Sequence, residues 1–177
     1  MSKIAHIKHR IRSVKNTRQI TKAMELVASS KMKRAQDRAI AGRDYALLLA
    51  RLLHIATTHA EIPNHPLMEK REVKRRGILV LSTDKGLCGP LNANLFREIN
   101  KIKGEADFVS VGRKAKQYLS RTGRNLVADF SVSDRVAFGE VRPIIEHMLE
   151  QYRSGRIDTL EVVFPRFINT LIQKTLT

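Results

Sequence analysis

The sequence predicts an α/β chain in two parts, a long amino-terminal helix of coiled-coil type followed by a mostly parallel sheet with covering helices. Three observations carry that reading. From Ile4 to Ala56 the chain keeps an apolar repeat in alternating three- and four-residue steps. At Gly77 the periodicity changes to short, continuous apolar runs. From there, strand-like and helix-like segments alternate to the end.

The repeat reads Ile4, Ile7, Ile11, Val14, Arg18, Thr21, Glu25, Ala28, Met32, Ala35, Ala39, Gly42, Ala46, Leu49, Leu53, Ala56, and only Arg18, Thr21 and Glu25 among these are polar. An apolar repeat held this long drifts off a straight helix and calls for a left-handed supercoil with a partner. No proline precedes Pro63, so one unbroken rod is expected, about 80 Å long at ~1.5 Å per residue. Where Arg18, Thr21 and Glu25 interrupt the seam, the stripe slips to Ile20, Met24 and Val27. Gly42 either weakens the helix, by about 1 kcal/mol against alanine, or admits a second helix at close range. The small neighbours Ala35, Ala39 and Ala46 favour the second reading.

At 177 residues the chain has room for one domain plus an extension. Its net charge of +16 is unevenly spread. Residues 1–38 hold eleven Lys or Arg against Glu25 and Asp37, whereas residues 77–177 hold fifteen against eleven acids. On the rod, Lys8, Arg10, Arg12, Lys15, Lys22, Lys31, Lys33 and Arg34 point away from the seam. Such a helix seeks an anionic partner: nucleic acid, an acidic membrane surface or acidic protein loops. Tyr45 is the only aromatic residue before Phe96, so there is no platform on which bases could stack. The first thirty residues are punctuated by charge and no apolar run approaches the ~20 residues of a membrane span, so a soluble intracellular protein is expected. A single cysteine, Cys88, excludes an internal disulfide and a cysteine-based zinc site.

Ile62-Pro-Asn-His-Pro66 should end the rod, because proline cannot continue a helix and disfavours helix just before itself. A long coiled-coil helix over 1–61, a charged linker over 62–76 and a sheet domain over 77–177 follow. In the last, Gly77–Ser82 reads as a buried strand, Leu91–Lys101 as a helix and Asp107–Val111 as a second strand. Arg113–Arg121 reads as a helix and Asn125–Phe130 as a third strand. Glu140–Arg153 is helical, with Val141, Ile144, Ile145, Met148 and Leu149 on one face. Thr159–Phe164 is a fourth strand and Asn169–Thr175 a fifth, antiparallel at the edge. Alternation of this kind gives a Rossmann-like topology.

A catalytic constellation is hard to find. Thr83-Asp-Lys-Gly-Leu-Cys-Gly-Pro90 sits where such sheets bind phosphates, but it matches neither common phosphate-binding motif. Gly86 and Gly89 are expected to serve a tight turn there, with Lys85 and Asn92 exposed for contacts and Cys88 a small, partly buried packing residue. His6, His9, His54, His59, His65 and His147 form no metal signature; His54 and His59 are five apart, not the four that a helical site favours. Asp84, Asp107, Asp129, Asp134 and Asp158 flank strands, where turn and capping roles account for them. No cofactor, metal or catalytic residue is therefore expected.

Three stretches carry a family resemblance. Ile11-Arg-Ser-Val-Lys-Asn-Thr-Arg-Gln-Ile-Thr-Lys-Ala-Met-Glu-Leu-Val-Ala-Ser-Ser-Lys-Met-Lys-Arg-Ala-Gln36 resembles the amino-terminal helix of the gamma subunits of F-type ATP synthases. Leu81-Ser-Thr-Asp-Lys-Gly-Leu-Cys-Gly-Pro-Leu-Asn92 resembles that family's second signature, and Val162-Val-Phe-Pro-Arg-Phe-Ile-Asn-Thr-Leu-Ile-Gln-Lys174 its late-sheet segment. The resemblance implies a non-catalytic central rotor shaft. It turns inside a ring of alpha and beta subunits and docks below on the epsilon subunit and the membrane c-ring, coupling proton or sodium translocation to ATP synthesis or hydrolysis. It implies no nucleic acid, and a peripheral place on the cytoplasmic face of the inner membrane, reached only indirectly through the c-ring. By motif, Met24 faces the acidic lever loops of the beta subunits, with Lys22, Lys31, Lys33 and Arg34 as the electrostatic contacts around it. Asp84, Lys85, Gly86 and Cys88 mark a possible second contact with the stator ring.

One departure stands out. The family fold implied by the resemblance pairs its first helix with a carboxy-terminal helix of similar length, and Glu140–Arg153 is too short for that part. A fragment or truncated product is expected, with a short paralogue as the alternative. A free-standing basic α/β scaffold, or a nucleic-acid-binding protein, is the competing class of function.

Overall fold

The computed structural model describes residues 3–59, 65–69, 71–169 and 172–176. It divides into two compact units, Met1–Pro63 and Asn64–Thr177. The first unit is helical. Helix α1 runs Lys3–Ala41 and α2 runs Arg43–His59, so the expected unbroken rod is interrupted once, at Gly42. The ladder still passes through that position: the Gly42 N–H donates to the Arg38 carbonyl at 3.0 Å, and the Gly42 carbonyl accepts from Ala46 N–H at 3.1 Å. A Cβ at Gly42 would lie 3.6 Å from the Arg38 carbonyl oxygen, an ordinary contact. The interruption therefore reflects glycine's weak hold on helical geometry, not a lack of room in the chain itself. No residue of α1 is buried. The expected helix stop at 62–66 falls partly on residues 62–64, outside the described residues.

The second unit holds β1 Arg75–Leu81, α3 Leu91–Lys101, β2 Glu105–Val111, α4 Arg113–Arg121, β3 Leu126–Phe130, α5 Phe138–Arg153, β4 Thr159–Phe167 and β5 Gln173–Leu176. The sheet order is β3-β2-β1-β4-β5. Strand β1 is parallel to β2 and β4, β2 is parallel to β3, and β5 returns antiparallel to β4. This is the mostly parallel, helix-covered sheet that the alternation predicts. One face packs Ile78, Val80, Phe108 and Val163 under Leu95 and Ile99 of α3 and Ala115 and Leu119 of α4. The other packs Val109 and the half-buried Leu79 against Met148 and Tyr152 of α5 and against Ile157. Burial on both faces is why β1 reads as a continuous apolar run and not as an alternating one.

Several boundaries moved, each for a local reason. Strand β1 starts at Arg75, not Gly77, because Arg75 pairs with Glu105 and Asp107 on β2 and Arg76 with Glu161 on β4. Helix α5 starts at Phe138, not Glu140: the Glu140 carboxylate accepts the Ala137 N–H at 2.9 Å and so closes the first turn. Its inner face is Ile144, Met148 and Tyr152; Ile145, expected inside, is exposed. Strand β4 continues to Phe167 because β5 pairs with its second half, Phe164 opposite Leu176 and Phe167 opposite Gln173.

Candidate partner-contact surfaces

Along α1 and α2 the seam is open. Ile4, Ile7, Ile11, Val14 and Met32 are each half or more exposed, and Ala28, Ala35, Ala39, Gly42, Ala46, Leu49 and Leu53 are exposed with them. Two candidate cations are tied to acids of the same helix: Lys22 to Glu25 at 3.3 Å and Lys33 to Asp37 at 3.0 Å. Arg34 leans back on Ser30, its Nη2 donating to Oγ at 3.1 Å. These exposed pairs are worth only ~0.2–1 kcal/mol, so an acidic partner can displace them cheaply. The helix does not gather the candidates into one patch. At ~100° per residue, Met24 and Lys31 share one face, Lys22 and Lys33 the opposite one, and Arg34 lies between. Thr17 and Thr21 turn their hydroxyls onto the Ser13 and Thr17 carbonyls, at 3.0 and 2.9 Å. The polar break in the seam is thus partly satisfied within the helix.

The loop after β1 is a folded unit. Asp84 Oδ1 accepts the Arg113 N–H at 3.0 Å, at the start of α4, and the Thr83 carbonyl accepts Lys114 N–H at 3.1 Å. Ser82 Oγ accepts Ala115 N–H at 2.8 Å. Asn92 Nδ2 donates to Thr83 Oγ1 at 2.8 Å and to Cys88 Sγ at 3.2 Å. Asn92, expected to be exposed for contacts, is instead a partly buried tie inside the loop. Cys88 is half-buried in a polar setting. Gly89 takes the positive φ of 58° expected of a turn glycine, but the other left-handed residue is Leu87 at 61°, not Gly86. Gly112 follows β2 with φ 97°, and a Cβ there would fall 2.4 Å from the Ser82 carbonyl oxygen. Only glycine lets the two loops touch.

Asp84 thus spends its carboxylate on the start of α4, whereas the start of α3, the helix that follows β1, has no side-chain cap. Lys85 and Leu87 project outward, Leu87 fully so at 96% exposure. Sequence patterns gave no hint of Leu87, since its display follows from loop geometry. Of the flanking aspartates, Asp107 and Asp129 hold Arg75 and Lys116, and Asp158 accepts the N–H groups of Lys74 and Arg75 at 2.9 and 2.8 Å. His65 accepts the Leu67 N–H. Among the described residues no group of three or more His, Cys, Asp or Glu side chains could hold a metal, and no helix is long and apolar enough to cross a membrane.

A family model described as ATP synthase matches residues 3–177. The chain belongs to that family. Among its relatives, the ATP synthase gamma chain of Opitutus terrae is 54% identical over 98% of this chain and 59% of its own length. The gamma chain of Methylacidiphilum infernorum is 44% identical over 98% and 61%, and that of Heliobacterium modesticaldum 42% over 95% and 59%. The chain therefore spans about three-fifths of the gamma chains it matches. The rotor of the Euglena gracilis mitochondrial ATP synthase, seen by cryo-EM, shares the fold at a TM-score of 0.51 and 15% identity, over 84% of this chain and 59% of that one. A second cryo-EM structure of that synthase, containing OSCP, F1 and the c-ring, gives 0.50 over 84% and 52%.

Proposed function

We propose that this chain supplies the shaft helix and the sheet domain of the central rotor, the gamma subunit, of an F-type ATP synthase. Residues 1–61 are the shaft, 62–76 a linker and 77–177 the foot. Turning inside the alpha–beta ring, the subunit couples ion translocation through the c-ring to ATP synthesis or hydrolysis and holds no catalytic site of its own. Met24, Lys22, Lys31, Lys33 and Arg34 meet the beta-subunit lever loops. Asp84, Lys85, Gly86 and Cys88 belong to a second contact with the ring, and epsilon and the c-ring hold the foot. The membrane association is peripheral, on its cytoplasmic face.

One observation carries this reading: a helix of 39 residues with an apolar seam and a basic surface that buries none of its own residues. Such an element draws most of its stability from packing against a partner. In this family that partner is a second long helix and the surrounding ring. The spread of cations around the helix suits a shaft that presents different faces to successive subunits, and weak exposed pairs avoid trapping it. Co-purification of the complete tagged chain is the test. A stoichiometric alpha–beta ring retained in high salt is expected. Nucleic acid lost as salt rises, with no ring, would point to a free basic scaffold.

A further inference from the structure

The segment leading into β1 lies outside the sheet ladder until Arg75, yet it is fastened to the sheet unit before that point. Arg71 is the first fastening. Its guanidinium stacks 4.4 Å over the Tyr152 ring, and its Nη1 donates to the Tyr152 carbonyl at 2.9 Å. Its Nε and Nη2 both donate to Glu69 Oε2 at 3.1 Å. The accepting carbonyl of Tyr152 belongs to the last turn of α5, so the cation also meets the negative end of that helix. Lysine, a point charge without a planar fork, does not make this set of contacts. Asp158 is the second fastening: one of its oxygens accepts the N–H groups of both Lys74 and Arg75. Glu72 and Lys74 turn their own side chains to solvent.

Both fastenings grip the same corner, the turn that joins α5 to β4. That corner is part of the core, with Tyr152 and Ile157 buried among Val109 and Met148. Ile157 also lies against β1. A Cβ on Gly77 would strike its Cδ1 and come within 3.0 Å of the Thr159 carbonyl oxygen, so glycine lets the corner close on the strand. Strand β1 does not need the grip for its own sake, since it pairs over seven residues with β2 and over five with β4. What the grip adds lies beyond the ladder. The chain passes from the helical unit to the sheet unit between Pro63 and Asn64. A twist applied to the backbone there reaches Arg71 before it reaches β1. Through Arg71 and Asp158 it enters α5 and β4 as well, instead of falling on the ladder of one strand.

We propose that Arg71 and Asp158 are positioning residues that bear torque, carrying twist from the backbone of the helical unit into the α5–β4 corner of the foot. The inference rests on the rotor reading above and names the point where load enters the sheet unit.

The test uses the complete chain, free and assembled with its alpha–beta ring. In the free chain, hydrogen exchange at the amides of 71–75 should quicken at least about tenfold in Arg71→Ala and in Asp158→Ala, as the segment opens locally. In the assembled ring, a probe rod on the sheet unit of either variant should fluctuate in angle with about twice the variance of the unaltered chain, through the same local opening. ATP hydrolysis without load should stay the same. Tyr152→Phe keeps the ring and the carbonyl and loses only a 3.4 Å hydroxyl bond to the Glu69 carbonyl, so it should match the unaltered chain. Arg71→Lys should fall between, and it carries the same comparison where an alanine variant does not assemble. A role in the fold alone quickens exchange and leaves the angular variance unchanged. That result, or exchange that does not quicken, overturns the proposal and leaves the rotor reading standing. Loss of folding in Arg71→Lys as well as in the alanine variants overturns it in favour of a fold role. Failure of the unaltered chain to assemble with the ring overturns both.

Discussion

Met24 is half-exposed on α1, and the helix sets Lys31 on the same face about two turns away. A lysine at 24 would add a second cation to a face that already carries one. Met24→Lys should therefore strengthen pairing with an acidic lever loop and hold the rotor in one orientation. Proton pumping per ATP hydrolysed in reconstituted vesicles should fall; an unchanged ratio would count against the contact. A different residue tests the core. Ser110 is fully buried on β2 and its hydroxyl has no partner among the described residues. An unsatisfied buried hydroxyl costs ~1–3 kcal/mol, so Ser110→Ala should raise stability by up to about 1 kcal/mol in urea titration. Gly112→Ala should do the reverse, by ~2 kcal/mol or more. Its Cβ would strike the Ser82 carbonyl oxygen, a backbone atom that cannot step aside.

At the scale of elements, two carboxylates fasten segments that sequence patterns leave undefined. Asp158 is held below its ordinary range chiefly by the N–H of Arg75 and then that of Lys74, which joins the lead-in of β1 to the start of β4. Arg71 reinforces this, stacking on the Tyr152 ring at 4.4 Å and donating to the Tyr152 carbonyl at 2.9 Å. Glu140 is held low by the Ala137 N–H first and the Ser133 hydroxyl second. Because both folded-state values are depressed, their contribution is fully present above the unfolded carboxylate range near pH 4. It is lost as pH falls through the lower folded values. The urea midpoint should drop from pH 5 towards pH 2, and Asp158→Asn with Glu140→Gln should flatten that slope and lower the midpoint at pH 7. Helices α3 and α4 were legible to the residue, since their periodicity and flanking glycine or proline mark both ends. The start of β1 and the end of β4 were not, because ion pairs and a returning strand set them.

For the whole molecule, the unevenness of burial is the main physical fact. The sheet unit has two packed faces, whereas α1 has no buried residue. Without its partners the helical unit depends on intrinsic propensity alone. Circular dichroism of the isolated chain should then show a broad early loss of helix before a cooperative sheet transition. The early phase should shift upward with chain concentration as seams pair between copies. A single concentration-independent transition would contradict this.

The sequence by itself determined the heptad seam, the basic shaft surface, the order of strands and helices and the family. All of these depend on the spacing of residue types along the chain. Only the tertiary structure decided where the left-handed turns fall, that Asn92 faces inward and that Asp84 fills the start of α4. It also decided that Leu87, Val136 and Phe138 stand exposed on one edge of the sheet. Those outcomes depend on which distant backbone N–H and carbonyl groups meet once the strands are side by side, and no local pattern encodes that.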